Sequence, residues 1–324
     1  MPITISGGVQ LSGPVILDPT GGSSPTPGGG GASNFGYTIA GFTGGAYSNV
    51  IDKFSFSSDA NATDVGDSVG EYLGIAGQSS SSHGYSTGRG SPSDTNGKIQ
   101  KFAFATDGNA TSVGSLTLKR GTLPAGGSSS VSGYTAGGRA NPGGIQNVID
   151  KFPFASDSDA TDVGDLATGV QDTCGQNSSD NGYVSAGESV PGNVNIIQKY
   201  SFASDGNATD VGDNTATRNS VAGQSSSTHG YTSGGYIAPN NFRVDVIDKF
   251  PFASDGNASD VGDLSIGRRQ LTGTSSSTSG YSAGGDREPG IRDDIDKFAF
   301  ASDGNASDVG DLTQARAMSA GAQY

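Results

Sequence analysis

The stretch QSSSTHGYTSGG, residues 224–235, holds one tyrosine and no aliphatic side chain, and taken alone it reads as a linker. It returns as QSSSSHGYSTGR from Gln78, GSSSVSGYTAGG from Gly127, QNSSDNGYVSAG from Gln176 and TSSSTSGYSAGG from Thr274. A linker has no reason to recur at a fixed interval, so each copy belongs to a structural repeat. A second motif keeps the same step: IDKFSF at Ile51, IQKFAF at Ile99, IDKFPF at Ile149, IQKYSF at Ile197, IDKFPF at Ile247 and IDKFAF at Ile295. Successive copies lie alternately 48 and 50 residues apart. A Gly-Tyr pair, with Tyr37, Tyr85, Tyr134, Tyr183, Tyr231 and Tyr281, runs in step with them.

Composition narrows what such repeats can build. With 54 Gly, 32% hydrophobic residues and no Trp in 324 residues, the chain has no conventional aliphatic core. It is either disordered or a repeat fold of thin sheets that share small contacts. The 14 Phe and 11 Tyr decide for a fold, because they recur at set positions. A formal charge of −14 argues against an electrostatic grip on nucleic acid or on an anionic membrane. The opening MPITISGGVQ has neither the basic leader nor the apolar run of a signal peptide, and no segment is long and apolar enough for membrane insertion. The single Cys174 cannot form an internal disulfide and reads as a small strand residue.

Each repeat offers four short extended segments, plain in the fifth: RNSVAGQSS (a), GYTSGGY (b), DVIDKFPF (c) and DVGDL (d). Their lengths, their β-branched and aromatic residues and the Gly and Asn between them favour strands. The SDGNA between c and d suits a tight turn. Four antiparallel strands at a period near 50 match a propeller blade. The innermost strands of a propeller converge on its axis, where only small side chains fit, so the Ser-Gly run of segment a is the expected hub. The repeats open with a segment b, FGYTIAGF, and end with RAMSAGAQY, residues 316–324, which aligns with segment a. The expectation is an all-β, six-bladed β-propeller of four-stranded antiparallel blades over residues 34–324, closed by the C-terminal strand completing the first blade. An extended N-terminal anchoring segment, residues 1–20, and a Gly/Pro/Ser-rich linker, residues 21–33, precede it.

The order of Arg, Gly-Tyr, Gly-Gly, a variable loop and D-K-F-x-F resembles the kelch-type β-propeller repeat, with Val65, Val163 and Val261 where kelch repeats usually carry Trp. The near-identical DKFPFASDGNA blades behind a short ITISGG leader also resemble repeat propeller proteins of tailed bacteriophage virions. The second resemblance implies a non-enzymatic structural or display protein of the virion, a capsid or tail decoration or fibre-like adhesin, assembled in the host cytoplasm. In the leader, Ile3, Ile5, Val9 and Leu11 alternate as in a short strand. Such a strand would add to a sheet of another virion protein or intertwine with copies of itself, giving a homo-oligomer; the plain alternative is a disordered tail.

Candidate chemistry is sparse. Segment a begins with Arg120, Arg218, Arg268 and Arg316, and with Glu71 and Val170 in the other two repeats. In a propeller these arginines sit near one mouth of the channel, where they could hold a carboxylate or phosphate. The favoured reading is structural, pairing with the Asp of the preceding VGD segment or with carbonyls between blades. The lysines of segment c read as links between blades. The DGNASD turn lacks the length and the terminal Glu of a calcium loop. His83 and His229 occupy equivalent positions in different repeats and cannot share a site. No metal, no cofactor and no enzymatic activity are expected; galactose-oxidase-like copper chemistry on a kelch-type propeller would need His ligands and a Cys-Tyr cross-link that this chain cannot assemble.

The b-to-c loops differ from repeat to repeat while the rest agrees, which marks that face as free to diversify for binding. Tyr47, Arg89, Arg139, Tyr236, Phe242, Arg243 and Arg287 are its side chains best suited to stack on a host-surface carbohydrate or anchor a protein; ordinary loop drift is the plain alternative. Besides the virion role, two other functions fit: a free-standing lectin-like or protein-binding kelch propeller, and, more weakly, a glycan-cleaving enzyme using channel carboxylates.

Overall fold

The computed structural model describes residues 34–72, 74–89, 97–140, 142–239 and 242–324. The anchoring segment with Ile3, Ile5, Val9 and Leu11, and the linker, lie outside the described residues. Every segment c, with its alternating Ile, Lys and Phe, becomes a strand whose Ile and first aromatic point inward, as in Val246–Pro251 with Ile247 and Phe250 buried. Its neighbours b and d flank it antiparallel, and segment a pairs with b. The described residues contain six such four-stranded sheets. Sheets 2 to 6 run a-b-c-d in chain order: Ala76–Ser79 to Thr111–Ser115, Ala125–Ser128 to Thr161–Asp165, Cys174–Asn177 to Thr209–Asp213, Ala222–Ser225 to Ser259–Asp263, and Thr272–Ser275 to Ser307–Asp311. Sheet 1 takes b, c and d from Phe35–Phe42, Tyr47–Ser55 and Thr63–Asp67, and its strand a is Ala320–Gln323, where Tyr37 lies opposite Ala322.

Where sheets meet, one arrangement recurs. The Gly-Tyr tyrosine of each sheet packs on two aromatics of the next sheet's segment c, one in the strand and one just past its end: Tyr85 on Phe152 and Phe154, with centroids 5.5 and 4.9 Å away, and Tyr183 on Phe250 and Phe252 at 5.5 and 4.8 Å. The tyrosine of sheet 6, Tyr281, finds its pair in sheet 1, on Phe54 and Phe56 at 5.8 and 4.5 Å. The glycine before each tyrosine leaves room for its own sheet's strand-c ring: a Cβ on Gly230 would collide with Phe250. These aromatic contacts share the core with the fully buried isoleucine of each strand c, such as Ile99, Ile149 and Ile247, and each is worth about 0.5–1.5 kcal/mol beyond the area buried.

The innermost strands approach so closely that only glycine fits. A Cβ on Gly77 would strike the Gly321 carbonyl, one on Gly126 that of Gly77, one on Gly175 that of Gly126, one on Gly223 that of Gly175, one on Gly273 that of Gly223, and one on Gly321 that of Gly273. Two residues along each strand, backbone N–H groups are satisfied by small polar side chains of the neighbouring sheet. Ser79 N donates to Ser128 Oγ, Ser128 N to Asn177 Oδ1, Asn177 N to Ser225 Oγ, Ser225 N to Ser275 Oγ, Ser275 N to Gln323 Oε1 and Gln323 N to Ser79 Oγ, all at 2.8–3.1 Å. The serines that read as linker are thus hydrogen-bonding pieces of the hub.

The outer edges are covered as well. Lys53 pairs with Asp107, Lys101 with Asp157, Lys151 with Asp205, Lys199 with Asp255, Lys249 with Asp303 and Lys297 with Asp59, each reaching the c-to-d turn of the next sheet. From the same turns Ala110 N donates to Asp67 O and Ala258 N to Asp213 O, both at 2.7 Å, so each turn caps a neighbour's open strand edge. The asparagines of these turns serve here too: Asn257 Oδ1 accepts from Asp213 N at 3.0 Å. No helix of the described residues is long and apolar enough to cross a membrane.

Candidate functional site

The candidate arginines are placed by charge rather than by the channel. Arg120, Arg218, Arg268 and Arg316 are at most 1% exposed and line neither axial cavity, which corrects their placement at a channel mouth. Their partner is the Asp of strand c in the same sheet, not the Asp of the VGD segment: Arg120 pairs with Asp150 at 3.2 Å, Arg218 with Asp248 at 3.0 Å, Arg268 with Asp296 at 3.1 Å and Arg316 with Asp52 at 2.5 Å. A backbone carbonyl also accepts from each guanidinium, as Thr232 O does from Arg218 Nη2 at 2.9 Å, while the Nε of all four is buried without a hydrogen-bond partner. Burial pushes these guanidinium pKa values down, and the adjacent carboxylates oppose it. The same carboxylates accept across the junction: Asp248 takes the Thr215 N–H at 2.9 Å and its hydroxyl at 2.7 Å.

The two sheets without this arginine also lack the aspartate. Opposite Glu71 and Val170 stand Gln100 and Gln198, whose neutral amides accept the same cross-junction N–H, from Val69 at 2.6 Å and Thr168 at 2.8 Å. Arg goes with Asp, and its absence goes with Gln, so no buried charge is left alone. Lining up the repeats at both positions reveals this pairing; reading each position separately misses it.

The axis offers little room. The cavities on either side of the glycine contacts hold about 80 and 60 Å³, and none of their lining residues is a carboxylate, histidine, lysine or arginine. At the end where the b-to-c loops emerge, residues with left-handed backbone bond in series: Gly74 N to Met318 O, Met318 N to Gln270 O, Gln270 N to Ser220 O, Ser220 N to Asp172 O, Asp172 N to Thr122 O and Leu123 N to Gly74 O, at 2.6–3.0 Å. Asp172 in this series is half-buried beside Glu188, and desolvation, then Glu188, pushes its carboxyl up to about 7 against the pull of Arg269. Burial pushes the Cys174 thiol up to about 12, so it is no nucleophile at neutral pH.

The b-to-c loops are built, not merely variable. Sheets 3, 5 and 6 carry small ladders there, Arg139–Ala140 with Gly144–Ile145, Tyr236–Ile237 with Phe242–Arg243, and Asp286–Arg287 with Gly290–Ile291. Of the seven candidate residues, Phe242, Arg243 and Arg287 come together, lining with Asp245, Gly267 and Glu288 a cleft of about 430 Å³. Arg243 spans it, its Nη2 2.9 Å from Asp286 Oδ2 and 3.1 Å from Glu288 Oε1. Tyr236 lies opposite Arg243 in the ladder, with the Arg269 guanidinium 5.0 Å from its ring. Tyr47 packs on Phe42 at 5.9 Å and Arg139 is exposed, and neither lines the cleft; Arg89 ends strand b of sheet 2.

No protein-family model matches the chain, and no curated protein sequence does. Among solved structures, one titled as the structure of YjhT superposes with a TM-score of 0.63 at 14% identity, over 77% of this chain and 86% of that one. At this identity the likeness bears on the fold alone, a β-rich, propeller-like arrangement of antiparallel sheets.

Proposed function

We propose that the chain is a non-enzymatic, kelch-type six-bladed propeller, its ring completed by Ala320–Gln323, that presents its b-to-c loop face for binding. The observation that carries this reading is a contrast within one molecule. Hub, aromatic contacts and outer Lys–Asp pairs recur at all six junctions, including that between sheets 6 and 1, whereas ladders, aromatics and unpaired charges vary on one face. A frame that spends its polar groups on itself leaves recognition to those loops. Removing residues 316–324 deletes both Arg316 and the innermost strand of sheet 1. The expected outcome is loss of the cooperative thermal transition, and a truncated chain that melts like the whole one overturns the ring.

The function proposed for this face is display on a virion. Residues 1–20 join the propeller to other virion proteins through a linker at 21–33, or join copies of the chain to one another, and the loop face meets host-surface glycan or a neighbouring virion protein. This part rests on the repeat style and the alternating leader. Stoichiometric presence of the chain in purified particles, with residues 1–20 protected from protease only in the assembled particle, is the expected result. A chain that occurs only as a free monomer binding sugar would establish instead the second reading, a lectin-like propeller, which the cleft between sheets 5 and 6 favours.

A further inference from the structure

We infer that the cleft between the ladder Tyr236–Ile237 with Phe242–Arg243 in sheet 5 and the ladder Asp286–Arg287 with Gly290–Ile291 in sheet 6 is a subsite for an uncharged saccharide, stacked on Phe242. The inference rests on the loop-face reading and adds the place and the ligand class. Phe242 is 63% exposed, a large apolar ring left in water on a short ladder whose backbone is paired with Ile237. A ring so held presents a flat apolar face, which the C–H face of a pyranose covers.

The polar groups around it divide into a fixed set and a free set. Arg243, 9% exposed at its side chain, ties one ladder to the other through Asp286 and Glu288, and Arg269 Nε holds Asp286 from the far side at 2.7 Å. These groups set the width of the cleft. Among the described residues the side chains of Asp245 and Arg287, both on the lining, make no hydrogen bond or ion pair, and Glu288 is 73% exposed. An unpaired acceptor and an unpaired donor beside an aromatic platform suit sugar hydroxyls, which both give and accept hydrogen bonds.

Charge selects among sugars. Arg243, Arg269 and Arg287 are matched by Asp245, Asp286 and Glu288, so the cleft carries no net positive charge, and the chain as a whole carries −14. An anionic glycan meets repulsion and no surplus cation, whereas an uncharged one loses nothing. The volume of about 430 Å³ lies on the scale of a small-molecule site.

The test titrates the full-length protein with hexose and N-acetylhexosamine oligosaccharides and with carboxylate-bearing ones, at about 50 mM and about 500 mM NaCl, a range over which charge contacts are screened. The inference expects an uncharged oligosaccharide to bind with little salt dependence, Phe242→Ala to weaken it about tenfold or more, Phe242→Tyr to keep it, and Arg287→Gln to weaken it, all with unchanged melting temperature. Preference for carboxylate-bearing glycans that fades with salt overturns it. Binding that survives both Phe242→Ala and Arg287→Gln overturns the cleft while leaving glycan recognition by the loop face standing. No binding to any oligosaccharide overturns both.

Discussion

Exchanging Arg218 and Asp248 for the pair used in sheet 4 tests how this protein tolerates charge in its interior. Both side chains are at most 1% exposed, 3.0 Å apart, and Asp248 also accepts from Thr215 across the junction. Arg218→Val removes the cation and leaves the carboxylate buried, and Asp248→Gln leaves the guanidinium without its counter-charge. Breaking a buried pair from either side costs about 3–5 kcal/mol, which for a chain of this size lowers the melting temperature by about 10 °C. The double variant recreates Val170 with Gln198, where the glutamine takes the Thr168 N–H at 2.8 Å and returns a bond to Thr168 O at 3.1 Å. Its loss is expected to fall below the sum of the singles, with a coupling of about 2–3 kcal/mol. Urea unfolding of the four proteins measures this. Singles that cost under about 1 kcal/mol, or a double variant that merely adds them, would refute the account of Arg–Asp and Gln as alternative solutions to one junction.

Two further perturbations have signed outcomes. Gly223→Ala drives a methyl into the Gly175 carbonyl and is expected to cost about 3 kcal/mol in chemical unfolding, while Gly256→Ala, with nothing within 4 Å, stays within about 1 kcal/mol; equal effects would contradict the hub geometry. Because the Asp172 carboxyl is raised to about 7, the folded state binds its proton more tightly than the unfolded chain, and stability from this group is full below the ordinary carboxylate pKa and declines as pH rises toward 7. Asp172→Asn, which tolerates the left-handed backbone there, is expected to be more stable than the parent at pH 8 and equal to it near pH 4, by thermal melts across that range. The same difference at both pH values would show that Asp172 is not held against ionisation.

What the chain determined by itself was everything that depends on local period and side-chain size. The Ile-x-Lys-Phe segment, the Gly-Tyr pair and the Ser-Gly run each specify a strand or turn within a few residues, and the last nine residues match the segment missing before Phe35. Only the tertiary structure decided the partners. Lys53 and Asp107 are 54 positions apart, and whether that lysine turns to the next sheet or the preceding one depends on how sheets stack, which no local pattern encodes. Arg218 was drawn to Asp248 rather than to a VGD aspartate because a guanidinium excluded from water needs the nearest buried counter-charge, and strand c supplies it within the same sheet. The cleft was half legible: Phe242 and Arg287 belong to equivalent loops of successive repeats, which the repeat pattern puts on one face, but only the reach of Arg243 to Asp286 and Glu288 across neighbouring sheets joins them in one cleft.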